Sequence, residues 1–281
     1  MTARQVHAIL AAGVENPELI ARWRRDPRPL LDHGVEPGSI DLAALWMFAG
    51  LTVKVRHNGI REDFPLTFRL MNVAGLDIEV FASYAAFRAS AGEQYATTTE
   101  ARARDLIIFL EHWLDLDRTD HPLLWDLIRH EQALARLSKS ALMHRGPAAA
   151  DAGTPSQGKP TGKSVPKICG EIVLHEMQCD PRAVGLTLRE SVPLLNRIPL
   201  ATRYFCYWRA DGAQKIQILE LDAFGYYALS FVDGTRSTAD LSRELGGNCR
   251  PTRGFLRSLG ELAAVGILGF GSPSSSRAEV R

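Results

Sequence analysis

The sequence predicts an α+β protein with an all-helical N-terminal domain and a mixed C-terminal domain. Up to residue 143, apolar residues recur at helical spacing. Residues 144–166 are rich in Pro, Gly, Ala and Ser, which is typical of a flexible linker. After the linker, short β-branched runs are followed by short helical patterns. We therefore expect domains at 1–143 and 167–271, joined by that linker, and a loose tail at 272–281.

The composition is that of an ordinary globular protein and gives no general attraction to nucleic acid or membrane. The chain has 281 residues, of which 46% are apolar and 23% charged, and its net charge is +1. No apolar run reaches the roughly 18 residues that span a bilayer, and the N-terminus shows no signal-peptide pattern. The cysteines form no CxxC pair, so we expect reduced thiols at Cys169, Cys179, Cys206 and Cys249. These features predict a cytoplasmic protein.

The N-terminal domain is expected to be a bundle of amphipathic helices with no strand before residue 170. Asn16 followed by Pro17 predicts a helix over 18–25, because Asn caps helices and Pro suits their first position. Ser39 is the expected cap of the next helix, whose apolar face holds Leu42, Leu45, Trp46, Phe48 and Ala49. Asp120 is the expected cap of a helix that ends near residue 141. Further helices are predicted over 6–14, 64–71, 78–88 and 101–114.

The C-terminal domain combines a hairpin with three helices. Asp211 and Gly212 lie between apolar runs at 203–209 and 215–221, and Asp-Gly in that position is a strong hairpin signal. An earlier strand is predicted over 171–176 and a short helix within 181–195. Three further helices are predicted over 223–232, 238–244 (capped by Ser237) and 252–265, before a final apolar run. This order is typical of a winged helix-turn-helix domain, which binds nucleic acid or an extended peptide.

One hypothesis is a DNA-binding transcriptional regulator with a helical sensor domain. Arg250, Arg253 and Arg257 give the last helix a basic face, as a recognition helix has. Residues 202–270, however, hold eight basic and seven acidic side chains, whereas DNA binders usually carry a larger positive charge. Three arginines on a solvated helix face are the favoured interpretation of the same pattern. We therefore expect no nucleic-acid partner and keep the regulator as the alternative.

A second hypothesis is capture of an extended peptide by the strand at 215–221. If this strand lies at a sheet edge, its unpaired backbone groups can take up a peptide as an added strand. The last helix would form the wall of the groove. The candidate peptide-binding residues are Ile216, Gln217, Ile218, Leu219, Glu220, Arg253, Phe255, Leu256 and Leu259. The structural alternative is that both faces of this strand are simply core.

Two runs in the C-terminal domain carry the turn and helix motifs, namely LDAFGYYALSFVDGTRSTADLSREL (221–245) and FLRSLGELAAVGIL (255–268). They resemble the PqqD-like recognition elements of ribosomally synthesised and post-translationally modified peptide (RiPP) pathways. That family has an Asp-Gly turn before a capped second helix and a Gly-terminated turn after the third. Its members bind leader or carrier peptides. The resemblance implies that such a peptide pairs with the strand at 215–221 and lies against the helix at 252–265.

The N-terminal domain resembles partner proteins of multinuclear non-haem iron-dependent oxidative enzymes. VKVRHNGIREDFPLTFRLM (53–71) carries that family's R-x-N-x-x-R-x-x-(F/L) helix and Phe-Pro pair, and HPLLWDLIRHEQALARL (121–137) is similar to a later helix. The resemblance implies that this domain docks on the enzyme. The candidate partner-interface residues are Arg56, Asn58, Arg61, His121, Trp125, Arg129 and His130. Aromatic and Arg side chains together are typical of interfaces, but also of a helix packed within its own bundle.

No signature of a catalyst occurs in the sequence. There is no HExxH motif, no GxSxG motif and no glycine-rich phosphate loop, and the histidines lack metal-ligand spacing. We expect no catalytic residue, no metal site and no cofactor in this chain; by resemblance, the iron belongs to the partner enzyme. The expected function is an accessory subunit that presents a carrier or leader peptide to that enzyme for cysteine modification, as in 3-thiaglutamate-type biosynthesis. A purely structural scaffold is the remaining class.

Overall fold

The computed structural model describes residues 2–92, 94–115, 117–118, 120–143, 160–246 and 252–271. These residues form helices and small antiparallel sheets, and this mixture agrees with the predicted α+β class. The chain divides into two compact units, one comprising 1–131 and 181–198 and the other 132–180 and 199–281. This division differs from the predicted boundary at 143. Residues 144–159 of the predicted linker and the predicted tail lie outside the described residues.

The first unit is helical. Its helices are α1 (Ala3–Glu15), α2 (Pro17–Arg25), α3 (Leu42–Arg56), α4 (Pro65–Val73), α5 (Asp77–Ser90), α6 (Thr99–Trp113), α7 (His121–Met143) and α8 (Pro181–Thr187). The second half of α7, from residue 132, belongs to the second unit. Short 3-10 helices occupy Arg28–His33, Asn58–Glu62 and Leu195–Arg197. The predicted helices of residues 1–143 are confirmed, and so is the short helix predicted within 181–195, which is α8.

Local signals set the starts of α2 and α3. The Asn16 side chain accepts a hydrogen bond from the Glu18 amide at 3.2 Å, as expected of a cap before Pro17. The predicted cap of α3 was wrong, because Asp41 accepts from the amides of Ala43 and Ala44. Ser39 instead donates its hydroxyl to the carbonyl of Glu36. Asp41 lies one residue before the helix, where its carboxylate reaches the exposed amides.

Glu131 joins α7 to the start of α4 inside the first unit. Its buried carboxylate accepts hydrogen bonds from the amides of Leu66 and Thr67, at 2.8 and 2.9 Å, and from the Thr67 hydroxyl at 2.6 Å. Phe64, the residue before α4, makes no side-chain cap of its own, so Glu131 satisfies amides that the local sequence leaves unpaired. Burial raises the pKa of Glu131, and the hydrogen bonds from Thr67 and Leu66 oppose that rise.

In its described residues, the second unit contains two antiparallel sheets and three helices besides the second half of α7. In chain order its elements are β1 (Val165–Ile168), β2 (Glu171–Met177), β3 (Arg203–Arg209), β4 (Gln217–Leu221), α9 (Ala223–Ser230), α10 (Thr238–Glu244), α11 (Arg253–Val265) and β5 (Leu268–Gly271). One sheet pairs β1 with β5, and the other has the order β2-β3-β4. The prediction of no strand before residue 170 was wrong, since β1 pairs with β5, Val165 opposite Gly271.

The central strand β3 is buried on both faces, which places a separate apolar cluster on each side of the sheet. Cys206 and Trp208 belong to the cluster formed with α9, α10 and α11. Phe205 and Tyr207 belong to the other cluster, whose remaining buried members are Ala133, Leu137 and Met177. Ala133 and Leu137 lie on the second half of α7, so that part of the helix covers one face of the sheet.

The end of α11 packs directly against this sheet. Gly266 ends the helix in the left-handed region, at φ 96°. A Cβ at this position would lie 3.2 Å from Cη2 of Trp208, so the close approach also requires glycine. The Trp208 indole N–H donates to the carbonyl of Cys169 at 2.7 Å. The Gly-terminated turn of the sequence motif therefore fixes α11 against β3.

Within the described residues, no single helix is long and apolar enough to cross a membrane. The pair α4 and α5 would pass the same test of length and composition if taken together, and the chain bends by 109° between them.

Candidate functional site

The outer edge of β4 is the main feature of the second unit that could bind another chain. β4 pairs with β3 on one side, Ile218 opposite Tyr207, and no described strand pairs with its other side. Ile216 and Ile218 pack on the cluster that holds Phe205 and Tyr207, while Leu219 and Leu221 pack on the cluster of α9, α10 and α11. Both side-chain faces therefore contact core, and the backbone groups of the outer edge are left without a strand partner in the described chain.

The two polar residues of β4 are exposed. Gln217 is exposed, and the exposed Glu220 accepts a hydrogen bond from the Arg203 guanidinium at 2.8 Å. Arg203 lies at the start of the neighbouring strand β3. This pair joins β4 to β3 through two side chains.

The last helix brings its candidate residues to two different environments. Phe255 and Leu259 are 3% and 0% exposed and belong to the apolar core, so their expected contact with a peptide is corrected to a packing role. Leu256 is half-buried and Arg253 is exposed at the first position of α11. Arg257, from the basic-face hypothesis, donates to Glu261 at 2.9 Å, and Arg250 lies outside the described residues. The amphipathic pattern of α11 identifies a buried face, not a groove.

An aromatic cluster at the end of β4 was missed by the sequence analysis. The ring of Tyr204, opposite Leu221 in the β3–β4 pairing, lies 4.9 Å from that of Tyr226 and 6.0 Å from that of Tyr227. Phe224 and Tyr227 on α9 are exposed, at 40% and 43%. The only signal in the sequence was the run Phe-Gly-Tyr-Tyr at 224–227. Phe224 and Tyr227 therefore place exposed apolar surface on α9, directly after β4.

The Asp-Gly turn of the sequence motif is held by one carboxylate. Asp233 accepts hydrogen bonds from the amide and hydroxyl of Thr235, both at 2.8 Å, and from the amide and Nε of Arg236, at 3.1 and 2.7 Å. Gly234 has φ 76°, a conformation that favours glycine. Backbone hydrogen bonds from Thr235 and Arg236, together with those from their side chains, hold the pKa of Asp233 below its ordinary value. The motif therefore encodes the geometry of the turn between α9 and α10.

Asp233→Asn is expected to make the unfolding free energy less dependent on acid pH. The folded pKa of Asp233 lies below its ordinary value of 3.8, so the stability from its ionised form is present above about pH 4 and is lost as pH falls through the folded value. Urea unfolding from pH 6 to pH 3 should show the wild type more stable at pH 6 and the difference narrowing at acid pH. A difference of equal size at every pH would contradict this role of the carboxylate.

In the first unit, the candidate interface residues of the motif at 53–71 lie at the end of α3 and just after it. Arg56 is the last residue of α3, and Asn58 and Arg61 lie on the 3-10 helix that follows, so the expected single helix is corrected to two elements. All three side chains are exposed. They form a polar border at the C-terminal end of α3.

The outward face of α3 is apolar. Met47, Phe48, Leu51 and Val55 recur at helical spacing and are all exposed, Val55 at 67%. Leu45, Trp46, Ala49 and Val53 fill the opposite, buried face. Phe48 was predicted on the buried face and lies on the exposed one. An exposed apolar stripe of this kind is typical of a protein-binding surface.

The candidate residues of α7 are less accessible. His121 is 1% exposed: its ring packs on Trp113 at 4.9 Å, and its Nδ1 accepts the amide of Asp115 at 2.8 Å. His130 is also buried, whereas Trp125 and Arg129 are half-buried. The guanidinium carbon of Arg129 lies over the Trp125 ring, 5.5 Å from its centroid. The expected surface position of His121 and His130 is therefore corrected to the interior of the helical unit.

Among the residues that the structure describes, no group of three or more His, Cys, Asp or Glu side chains is arranged to hold a metal ion. Comparison of the sequence with protein-family models and with curated proteins found no match. The motifs quoted above are therefore the basis of the family resemblance.

Proposed function

We propose that this chain is a non-catalytic partner subunit that binds a carrier or leader peptide and presents it to a multinuclear non-haem iron-dependent oxidative enzyme. By resemblance, the layout is similar to that of TglI, which assists TglH in the cysteine modification that leads to 3-thiaglutamate. The observation that carries the proposal is the outer edge of β4, which no strand covers among the described residues.

The edge is long enough to bind a short peptide segment. β4 has five residues, and alternate residues of a strand direct their N–H and C=O groups to the same edge. An added strand would form about four to six hydrogen bonds, each worth roughly 0.5–1.5 kcal/mol net, which suits micromolar affinity. Because both faces of β4 pack on apolar clusters, the strand is held extended before the peptide arrives, which lowers the ordering cost of binding.

The helical unit supports the second half of the proposal, docking on the enzyme. The docking surface we propose is the apolar stripe of α3 (Met47, Phe48, Leu51 and Val55), bordered by Arg56, Asn58 and Arg61. An apolar centre with an arginine-containing polar rim is the usual anatomy of a protein interface. Trp125 and Arg129 stay candidates for a peripheral contact, and the buried His121 and His130 are left out.

A comparison of peptide binding with DNA binding tests this function directly. A search of the reading frames that neighbour this gene for a short peptide gene supplies the probe, a fluorescein-labelled peptide. It is compared with a random DNA duplex in an anisotropy assay over a range of salt. We expect micromolar peptide binding with weak salt dependence, and no duplex binding, because residues 202–270 have nearly balanced charge.

Two outcomes would contradict the proposal. Duplex binding that weakens steeply with salt and in Arg253→Ala would support the transcriptional regulator instead. Binding of neither probe by a folded protein would support a structural scaffold. A scrambled peptide of the same composition is the matched control for sequence-specific capture.

A further inference from the structure

A cavity of about 440 Å³ opens on the first unit beside the end of α3. Its described lining consists of Arg56, Gln94, Tyr95, Ala96, Thr97 and Arg102. Two of these side chains are guanidinium groups, and none of the described lining residues is acidic. The described lining is therefore basic and partly aromatic.

In the described part of the cavity, uncharged partners hold the two guanidinium groups in place. Arg102 donates from Nε to the Ala96 carbonyl at 2.6 Å and from Nη1 to the Arg56 carbonyl at 3.1 Å. The Arg56 guanidinium lies over the Tyr95 ring, 4.8 Å from its centroid. Within the described residues, neither arginine forms an ion pair with a carboxylate. The neighbouring Arg88, by contrast, pairs with Asp105 at 3.3 Å.

A buried histidine lies behind this cavity and experiences its positive charge. His57 is fully buried, and its ring lies edge-on to those of Tyr95 and Tyr84, each at 5.3 Å. Its Nδ1 is 2.8 Å from the Val53 carbonyl, so Nδ1 carries the proton, and Nε2 is buried with no hydrogen-bond partner. Burial lowers the pKa of His57, and the charges of Arg102, Arg56 and Arg88 lower it further. Positive charge is thus concentrated here with no described carboxylate at the cavity.

We propose that this cavity binds a small oxyanion, a carboxylate or a tetrahedral anion such as phosphate. Arginine forks match the geometry of both groups, and a fork already oriented by backbone carbonyls or an aromatic ring loses little freedom on binding. Arg56 supplies donors from above Tyr95, and the remaining amino group of Arg102 supplies donors from the start of α6. This binding site lies in the first unit and shares Arg56 with the border of the proposed docking surface, but it does not depend on peptide binding at β4.

The test is an NMR titration of the full chain with sodium sulfate and with sodium acetate, each against sodium chloride at constant ionic strength. Sulfate keeps its charge across neutral pH, so it separates binding from titration of the ligand. We expect saturable shifts of the Tyr95 ring and of the Arg102 Nε–H signal with sulfate, at least about fivefold weaker binding in Arg56→Gln, and a rise in the pKa of His57 when sulfate is bound.

Matched variants separate this site from general charge screening. Arg104→Gln removes an exposed guanidinium from the same helix α6 and should bind sulfate as the wild type does. Arg56→Lys keeps the charge but loses the fork, and should bind with intermediate affinity. Saturation by acetate but not sulfate would assign a planar carboxylate as the ligand. Shifts no larger than those with chloride for both anions, or an unchanged affinity in Arg56→Gln, would overturn the proposal.

Discussion

Glu131→Ala is expected to lower the free energy of unfolding by about 3–5 kcal/mol, because it removes the acceptor of three hydrogen bonds at the start of α4. The amide and hydroxyl of Thr67 would remain buried without a partner, and the lost side chain would leave a cavity. Chemical denaturation followed by circular dichroism measures the change. α4 is the element most affected, since Phe64 provides no side-chain cap in place of Glu131.

Three variants separate the mechanisms behind this loss. Glu131→Gln keeps one acceptor oxygen and should cost less than the alanine variant. Thr67→Val removes only the hydroxyl bond and should cost about 1–2 kcal/mol. Glu111→Ala, an exposed glutamate on α6, should change stability by less than about 0.5 kcal/mol. If Glu131→Ala were as stable as this surface control, the carboxylate would have no structural role at α4.

Proline in place of the β4 residue whose N–H faces the open edge, Ile218 or Leu219, is expected to weaken binding of the carrier peptide. The loss should be at least about tenfold, equivalent to about 1.4 kcal/mol, because proline lacks the backbone donor. Neighbouring residues of a strand direct their N–H groups to opposite edges. Ile218→Pro and Leu219→Pro are therefore matched variants: one of the two removes an outward donor, and the other breaks the pairing with β3. Titration calorimetry gives the affinity, and thermal melting shows which variant retains the sheet.

The variant that keeps the wild-type melting temperature decides the outcome. We expect that variant to lose peptide affinity, while the other one unfolds more easily because the β3–β4 ladder is interrupted. A proline variant with both wild-type stability and wild-type affinity would place the peptide elsewhere on the protein. The aromatic cluster of Tyr204, Tyr226 and Tyr227 would then be the next surface to test.

Elements with local signals were predictable from the sequence. The bounds of β3 and α10 match their predictions, since an Asp-Gly hairpin and a Ser237–Asp240 capping box act within a few residues. β1 was missed because its partner β5 lies about a hundred residues further on and its own four residues include Pro166. A four-residue strand is too short to show the alternation of apolar and polar residues that predicts a strand, and its distant partner adds no local signal.

The candidate site was predictable only in part. The sequence placed Ile218 on a strand and Phe255 on a helix, but an apolar residue on a predicted face looks the same whether it lines a groove or fills a core. Burial of His121 and the exposure of Phe48 depend on which neighbouring helices pack against them, and no single helix encodes that choice. The cavity at Arg56 and Arg102 joins residues from segments far apart in the chain.

The course of α7 determines how this protein can be dissected for experiments. Its residues Ala133 and Leu137 cover Phe205 and Tyr207, which sit on the same face of the sheet as Ile218. A recombinant fragment that starts at residue 167 would lack this cover and would expose an apolar surface next to β4. Such a fragment would aggregate or bind detergents and peptides indiscriminately, so peptide-capture assays should use the intact polypeptide.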